Sequence, residues 1–163
     1  MPTVKSPQKA KNRDSKCIFE GMLRDTEYGI VITDRKGRIE WVNPGFTELC
    51  GYTLPEIRGK RPGAFLQGPE TCQKTVAKLH EAVVHSLPCD VRIVNYHKNG
   101  KKYVAEINIF PIRDARGKLV RFGALEKKIS GRKKPGKSGC SKMIVNLYAA
   151  LFEIKGKAGR ARG

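Results

Sequence analysis

Hydrophobic and polar positions divide the chain into short segments separated by strong punctuation. Tyr28 to Thr33 is a β-rich apolar run, and Ile39-Glu40-Trp41-Val42 alternates as a half-buried strand does. Asp34-Arg35-Lys36-Gly37 supplies a turn between them, so the pattern predicts a hairpin of residues 28–33 with 38–43. Asn43-Pro44 stops the second strand, because proline has no donor and restrains the residue before it. Phe46, Leu49 and Cys50 fall at i, i+3 and i+4, the spacing of one helical face, and Gly51 suits the end of that turn. Thr53-Leu54-Pro55-Glu56 has capping-box spacing and opens a second turn. Gly59, Pro62, Gly63 and Gly68 break residues 59–68 into loop and single turns, leaving Phe65 and Leu66 as an apolar pair with Gln67 beside them.

Gly68-Pro69-Glu70 reads as the start of a longer helix whose buried stripe is Val76, Leu79, Ala82 and Val83, closed by Leu87-Pro88. Val91, Ile93 and Asn95 then share one strand face, and Asn99-Gly100 is the strongest hairpin signal in the chain. Tyr103, Ala105, Ile107 and Ile109 continue the inward face on the return strand. After Asp114-Ala115-Arg116-Gly117, alternation places Phe122, Ala124 and Glu126 on one side of the last strand. Trp41 reads as a core or sheet residue, since a large aromatic on a strand buries well.

The flanks have another character. Residues 1–14 read as a disordered basic leader and 15–27 as an amphipathic helix carrying Ile18, Phe19, Met22 and Leu23. The folded unit spans 28–130, residues 131–142 form a basic linker, and 143–163 hold an apolar helix with a basic tail. Residues 15–25 and 143–155 are the expected routes to a homodimer or a partner signalling protein.

Charge changes the picture mainly through where it lies. The net charge is +18, with +3 in residues 1–14, +8 in residues 131–163 and +7 between them. The tails are rich in Lys, Gly, Pro and Ser and lack interleaved aromatic residues, so solvated tails outweigh nucleic acid as their role, with nucleic acid kept as a partner class. Five cysteines without a CxxC pair and the lack of a secretory signal point to a reducing cytoplasm. The apolar run from Met143 to Ile154 is shorter than the ~20 residues a membrane-spanning helix needs, so no membrane span is expected.

Two enzyme-like patterns do not survive their context. Gly131 to Ser138 matches the phosphate-cradling G-x-x-x-x-G-K-[ST], but only 25 residues come after it, with no aspartate among them to hold magnesium. His80 and His85 lie at i and i+5 and point about 140° apart on a helix, unlike the i, i+4 pair of a zinc-protease helix. With no complete nucleophile, base and acid set, the chain reads as no enzyme, and no metal is called for.

Several motifs in order carry a family resemblance: N-x-x-F-x-x-x-x-G-Y from Asn43 to Tyr52, Phe65-Leu66-Gln67-Gly68-Pro69-Glu70-Thr71, Asn95 to Gly100, and Phe110-Pro111-Ile112-Arg113-Asp114. Over residues 28–130 the chain resembles the PAS family, in the branch nearest the flavin-binding LOV photoreceptors. The resemblance implies an α+β fold, a five-stranded antiparallel sheet with short helices over one face enclosing a ligand pocket. It places Gln67 and Asn95 at flavin-contacting positions, and a flavin, FMN or FAD, among the candidate cofactors. It also exposes departures: the photoreactive cysteine falls at Gly63, the phosphate-gripping arginines at Ala64 and His80, a ring-contacting asparagine at Ala105, and the signalling glutamine at Glu126. The candidate pocket lining is Gln67, Asn95, Glu126, Leu66 and Ile32. The expected role is a sensory or interaction module in signal transduction, in which a small ligand or redox state shifts the last strand. The alternatives are a non-adduct flavin sensor and a nucleic-acid-binding protein dimerised by this unit. A carboxylate at Glu126 resists burial unless protonated or paired.

Overall fold

The computed structural model describes residues 26–130. The leader 1–14, nearly all of the expected helix 15–27, and the segments 131–142 and 143–163 lie outside the described residues. The elements run in the order β1 (Gly29–Thr33), β2 (Ile39–Val42), α1 (Pro44–Cys50), α2 (Leu54–Ile57), α3 (Gly63–Leu66), α4 (Gln73–Val84), β3 (Cys89–Tyr96), β4 (Lys102–Arg113) and β5 (Leu119–Lys128). The strands form one antiparallel sheet in the order β2-β1-β5-β4-β3, so the last strand lies at its centre.

Local chemistry explains the punctuation. Asp34 Oδ1 accepts from the N–H groups of Lys36 (2.8 Å) and Arg38 (2.9 Å). Asp114 repeats the device with Arg116 (2.9 Å) and Lys118 (3.0 Å), so both D-x-x-G turns are Asx turns closed by a left-handed glycine, Gly37 or Gly117. Asn43 caps α1: its Oδ1 accepts from Phe46 N–H (2.9 Å) and Ile30 N–H (2.7 Å), while its Nδ2 donates to the Tyr28 carbonyl (3.0 Å). One buried side chain thereby ties β1, β2 and α1 together. The Glu56 carboxylate accepts from Thr53 N–H at 2.8 Å, as the capping-box spacing predicts.

The longer helix begins later than the glycine-proline signal suggests, at Gln73 and not near Pro69. Thr71 is the reason. Its hydroxyl donates to the Val94 carbonyl (2.7 Å) and accepts from Gly68 N–H (3.0 Å), and Glu70 N–H donates to the Tyr96 hydroxyl (3.1 Å). These bonds hold 68–71 as a turn against β3.

The helices pack over one face of the sheet, through α1 on β1 and α4 on β3. On that face Val31, Val42, Phe46, Cys50, Ile57 and Leu66 form one buried cluster, and Val91, Ile93, Tyr103, Ala105 and Ile107 another. The opposite face carries Ile30, Ile32, Phe110, Ile112 and Leu125, with Trp41, Tyr28 and Val120 packed beside them.

Candidate functional site

Between the helices and the sheet lies a cavity of about 110 Å³. Its floor is the inner face of the sheet: Val31 and Thr33 of β1, Ile93 and Asn95 of β3, Ile107 and Ile109 of β4, and Phe122, Ala124 and Glu126 of β5. Phe46, Leu66 and Gln67 roof it, with Leu79 and Val83 of α4, and Gly37, Pro62 and Gly63 complete the lining. The wall is mostly apolar, with a few polar side chains converging on it, as ligand pockets are built.

The polar centre is a buried carboxyl. Glu126 is 3 % exposed, and its Oε1 accepts from Asn95 Nδ2 at 2.8 Å and from the Tyr103 hydroxyl at 3.2 Å. Strand register produces this group, since Asn95 pairs with Tyr103 across β3 and β4, and Ile107 with Glu126 across β4 and β5. No cation pairs with Glu126 among the described residues. Burial therefore pushes its carboxyl up to about 7, with the two donated hydrogen bonds pulling the other way. The same burial, reinforced by the Glu126 charge, raises the Tyr103 hydroxyl far above the ordinary phenol range, so it acts as a donor at every physiological pH.

Four of the five residues expected at the pocket line it: Gln67, Asn95, Glu126 and Leu66. Ile32 does not. It lies on the opposite face with Ile30, Phe110, Ile112 and Leu125, because Val31 and Thr33, paired with Ala124 and Phe122, take the inward positions. β1 is buried at all five of its positions and apolar from Gly29 to Ile32, so alternation has little to act on. Tyr103 is the residue that sequence reasoning undervalued, reading it only as an inward strand position. The Asn99-Gly100 signal marks the turn, but a two-residue turn there would set Asn95 opposite Val104; the observed loop is Lys98-Asn99-Gly100, closed by His97 N–H on the Lys101 carbonyl, and that one-residue difference in register brings Tyr103 opposite Asn95.

His80 sits on α4 and His85 just after it, and the described residues contain no group of three His, Cys, Asp or Glu able to hold a metal. No described helix is long and apolar enough to cross a membrane.

The family model described as "PAS domain" matches residues 27–129. The chain belongs to the PAS domain family. This PAS domain is 41 % identical over 103 residues to phototropin-2 of Oryza sativa subsp. japonica, covering 61 % of this chain and 11 % of that protein. It is 36 % identical over 104 residues to a blue-light photoreceptor of Listeria innocua serovar 6a, covering 62 % and 41 %. A blue-light-activated histidine kinase of Rhizobium johnstonii is 33 % identical over 125 residues, 75 % of this chain and 35 % of that protein. In each case the chain spans less than half of the relative. Among solved structures, the light-state LOV domain of the blue-light photoreceptor Aureochrome1 superposes with a TM-score of 0.61 at 26 % identity, covering 80 % of this chain and 97 % of that one. A light-oxygen-voltage domain studied with a flavin analogue superposes at 0.62, also at 26 % identity, covering 86 % and 94 %. These are sensory domains in signalling, and the fold of this PAS domain is theirs.

The cavity of this PAS domain departs from one built for an FMN held by arginines and a thiol. Gly63 brings no sulfur to it, and neither Cys50, Cys72 nor Cys89 lines it. Ala64 and His80 are exposed outside the lining, and no lysine or arginine belongs to the wall. The volume is also well below the ~300 Å³ at which drug-sized pockets begin.

Proposed function

We propose that this PAS domain senses a compact, largely apolar small molecule, seated on Ile93, Ile107, Ala124 and Leu66 and recognised by Gln67, Asn95 and Glu126. The observation that carries this reading is the buried Asn95–Glu126–Tyr103 group at the cavity wall. A ligand donor that draws on the carboxyl competes with Asn95 and Tyr103, and so alters β5. That strand pairs with both β1 and β4, and any shift in it reaches the two together. The output is then a change in contacts with a partner signalling protein or a second copy of the chain, without catalysis by the domain. The free thiols Cys50, Cys72 and Cys89 fit a cytoplasmic setting.

The test is a thermal-shift screen of compact aromatic and aliphatic molecules against the parent and Ala124→Leu, which places a larger side chain in the cavity. Hits that stabilise the parent and not the variant support the reading. Hits that stabilise both equally reject it.

A second reading, a flavin bound without a thiol adduct, is favoured by Gln67 and Asn95 at the cavity and by likeness to blue-light receptors. Visible absorption near 450 nm after refolding with FMN, riboflavin or FAD would support it, and a colourless protein would reject it.

A further inference from the structure

The buried carboxyl in the cavity wall is only half used by the protein. Glu126 Oε1 accepts from Asn95 Nδ2 and from the Tyr103 hydroxyl, and no donor among the described residues reaches Oε2. The side chain is 3 % exposed and lines the cavity, and Oε2 is not sealed inside protein, so the oxygen without a partner opens on the cavity. Gln67 is another polar side chain of the wall with hydrogen-bonding capacity to spare, since its amide bonds to no described residue.

Two donors on one oxygen favour the ionised carboxyl over the neutral one. Ionisation leaves a buried charge without a counter-ion. No lysine or arginine belongs to the wall, and the ion pairs among the described residues all lie elsewhere. Burial raises the Cys50 thiol of α1 to about 11 and the Tyr103 hydroxyl of β4 further, and the Glu126 charge adds to both, so neither supplies a cation. From β1 the cavity receives Val31 and Thr33, and from α4 Leu79 and Val83, with His80 and His85 exposed outside the lining. His97, Lys101, Lys102 and Lys128 line a separate cavity beside Tyr103, where Lys102 is paired with Glu70 at 2.6 Å.

We infer that the ligand of this cavity carries a protonated amine or amidine, whose N–H binds Glu126 Oε2 while its apolar body lies against Ile93, Ile107 and Ala124. A cationic N–H gives the free oxygen a donor and the buried charge a counter-ion in a single contact. A neutral hydroxyl supplies only the first of these. An acceptor such as a ketone needs the proton on Oε2, and Oε1 is already arranged for the ionised form. A cavity of about 110 Å³ suits a body of roughly five or six carbon atoms, since an engineered apolar cavity of about 150 Å³ takes benzene.

The cation claim presupposes a ligand in the cavity, and the test separates the two. Cyclopentylamine and cyclopentanol have the same body and differ in the head group, ammonium against hydroxyl. Protein-observed NMR titrations of the full chain with each, at pH 5, 6, 7 and 8, give the affinities and the amides that move. At pH 8 the amine should bind about tenfold more tightly than the alcohol, the effect of one hydrogen bond to a charged, buried partner. It should move the amides of Asn95, Ala124 and Glu126. Because the amine binds the ionised carboxyl, its affinity should rise roughly tenfold per pH unit up to the Glu126 midpoint near 7 and level off above it, while that of the alcohol changes little. Glu126→Gln should bring the pH 8 affinity for the amine down to that for the alcohol and remove its pH dependence. His97→Gln should preserve both.

Equal affinities for amine and alcohol at pH 8, with Ala124 moving for each, would overturn the cation claim and leave the cavity reading standing. An amine affinity that falls as pH rises would overturn it too, because the cavity then takes acceptors on a protonated carboxyl. Amine binding that persists in Glu126→Gln without moving Ala124 would place the amine on surface carboxylates and sink the inference. Failure of both compounds to bind would remove both readings.

Discussion

Replacing Glu126 with glutamine tests the energetics of the site. The native carboxyl is fully buried and its pKa is pushed from 4.5 to about 7 by desolvation. Below 4.5 the group is protonated in both the folded and unfolded states and causes no pH-dependent loss. Between 4.5 and about 7 the folded state holds a proton that the unfolded state has released, so stability falls as pH rises. Above about 7 the loss is complete, at about 3 kcal/mol for a shift of this size. Glutamine keeps the shape and an acceptor for Asn95 Nδ2 and the Tyr103 hydroxyl, with no charge to bury. At pH 8 Glu126→Gln should therefore be about 3 kcal/mol more stable than the parent, and at pH 4.5 the two should nearly coincide. For a domain of this size the gain corresponds to a melting-temperature rise of roughly 10 °C or more. Urea unfolding of both proteins at pH 5, 6, 7 and 8 reads the difference directly. His80, His85 and His97 are common to both and drop out of it. A gap between variant and parent that stays constant from pH 5 to pH 8 would refute the reasoning.

Other expectations rest on the same geometry. Tyr103→Phe removes a hydrogen bond that stabilises the ionised carboxyl, so the pH at which stability is lost should move upward, as the same urea series would show. Asn43→Ala takes the side-chain partner from the buried Ile30 N–H and removes the α1 cap, leaving Phe46 N–H only its bond to the residue 43 carbonyl, and should destabilise the domain by about 2–4 kcal/mol, measured by equilibrium unfolding. Ile32→Ala should lose about 2–5 kcal/mol of stability while leaving ligand hits in the thermal-shift screen ranked as before, because Ile32 lies on the face away from the cavity. Gly51→Ala meets the His97 ring at 2.5 Å with a backbone φ of +81°, and a loss of at least about 1 kcal/mol is expected in the same unfolding assay.

Much of this architecture was legible from the chain because its signals are local. The D-x-x-G turns, the Asn43-Pro44 stop, the Thr53–Glu56 capping box and the Asn99-Gly100 hairpin each act within a few residues, and each stands where its chemistry puts it. Alternation in β3 and β5 was clear enough to turn Asn95 and Glu126 to the same side. What sequence could not supply was cross-strand. The faces of β1 depend on its register with β5, which is why Ile32 went to the wrong side. The start of α4 depends on Thr71 bonding to Val94, more than twenty residues away.

The central claim is that a protonatable carboxyl in the cavity wall is coupled to the middle strand of the sheet. An NMR pH titration following the Glu126 side-chain carboxyl together with the amides of Asn95, Tyr103 and residues 122–128 tests it most directly. The account predicts one midpoint near 7 shared by the carboxyl and those amides. A carboxyl titrating near 4.5, with the β5 amides unmoved, would contradict it.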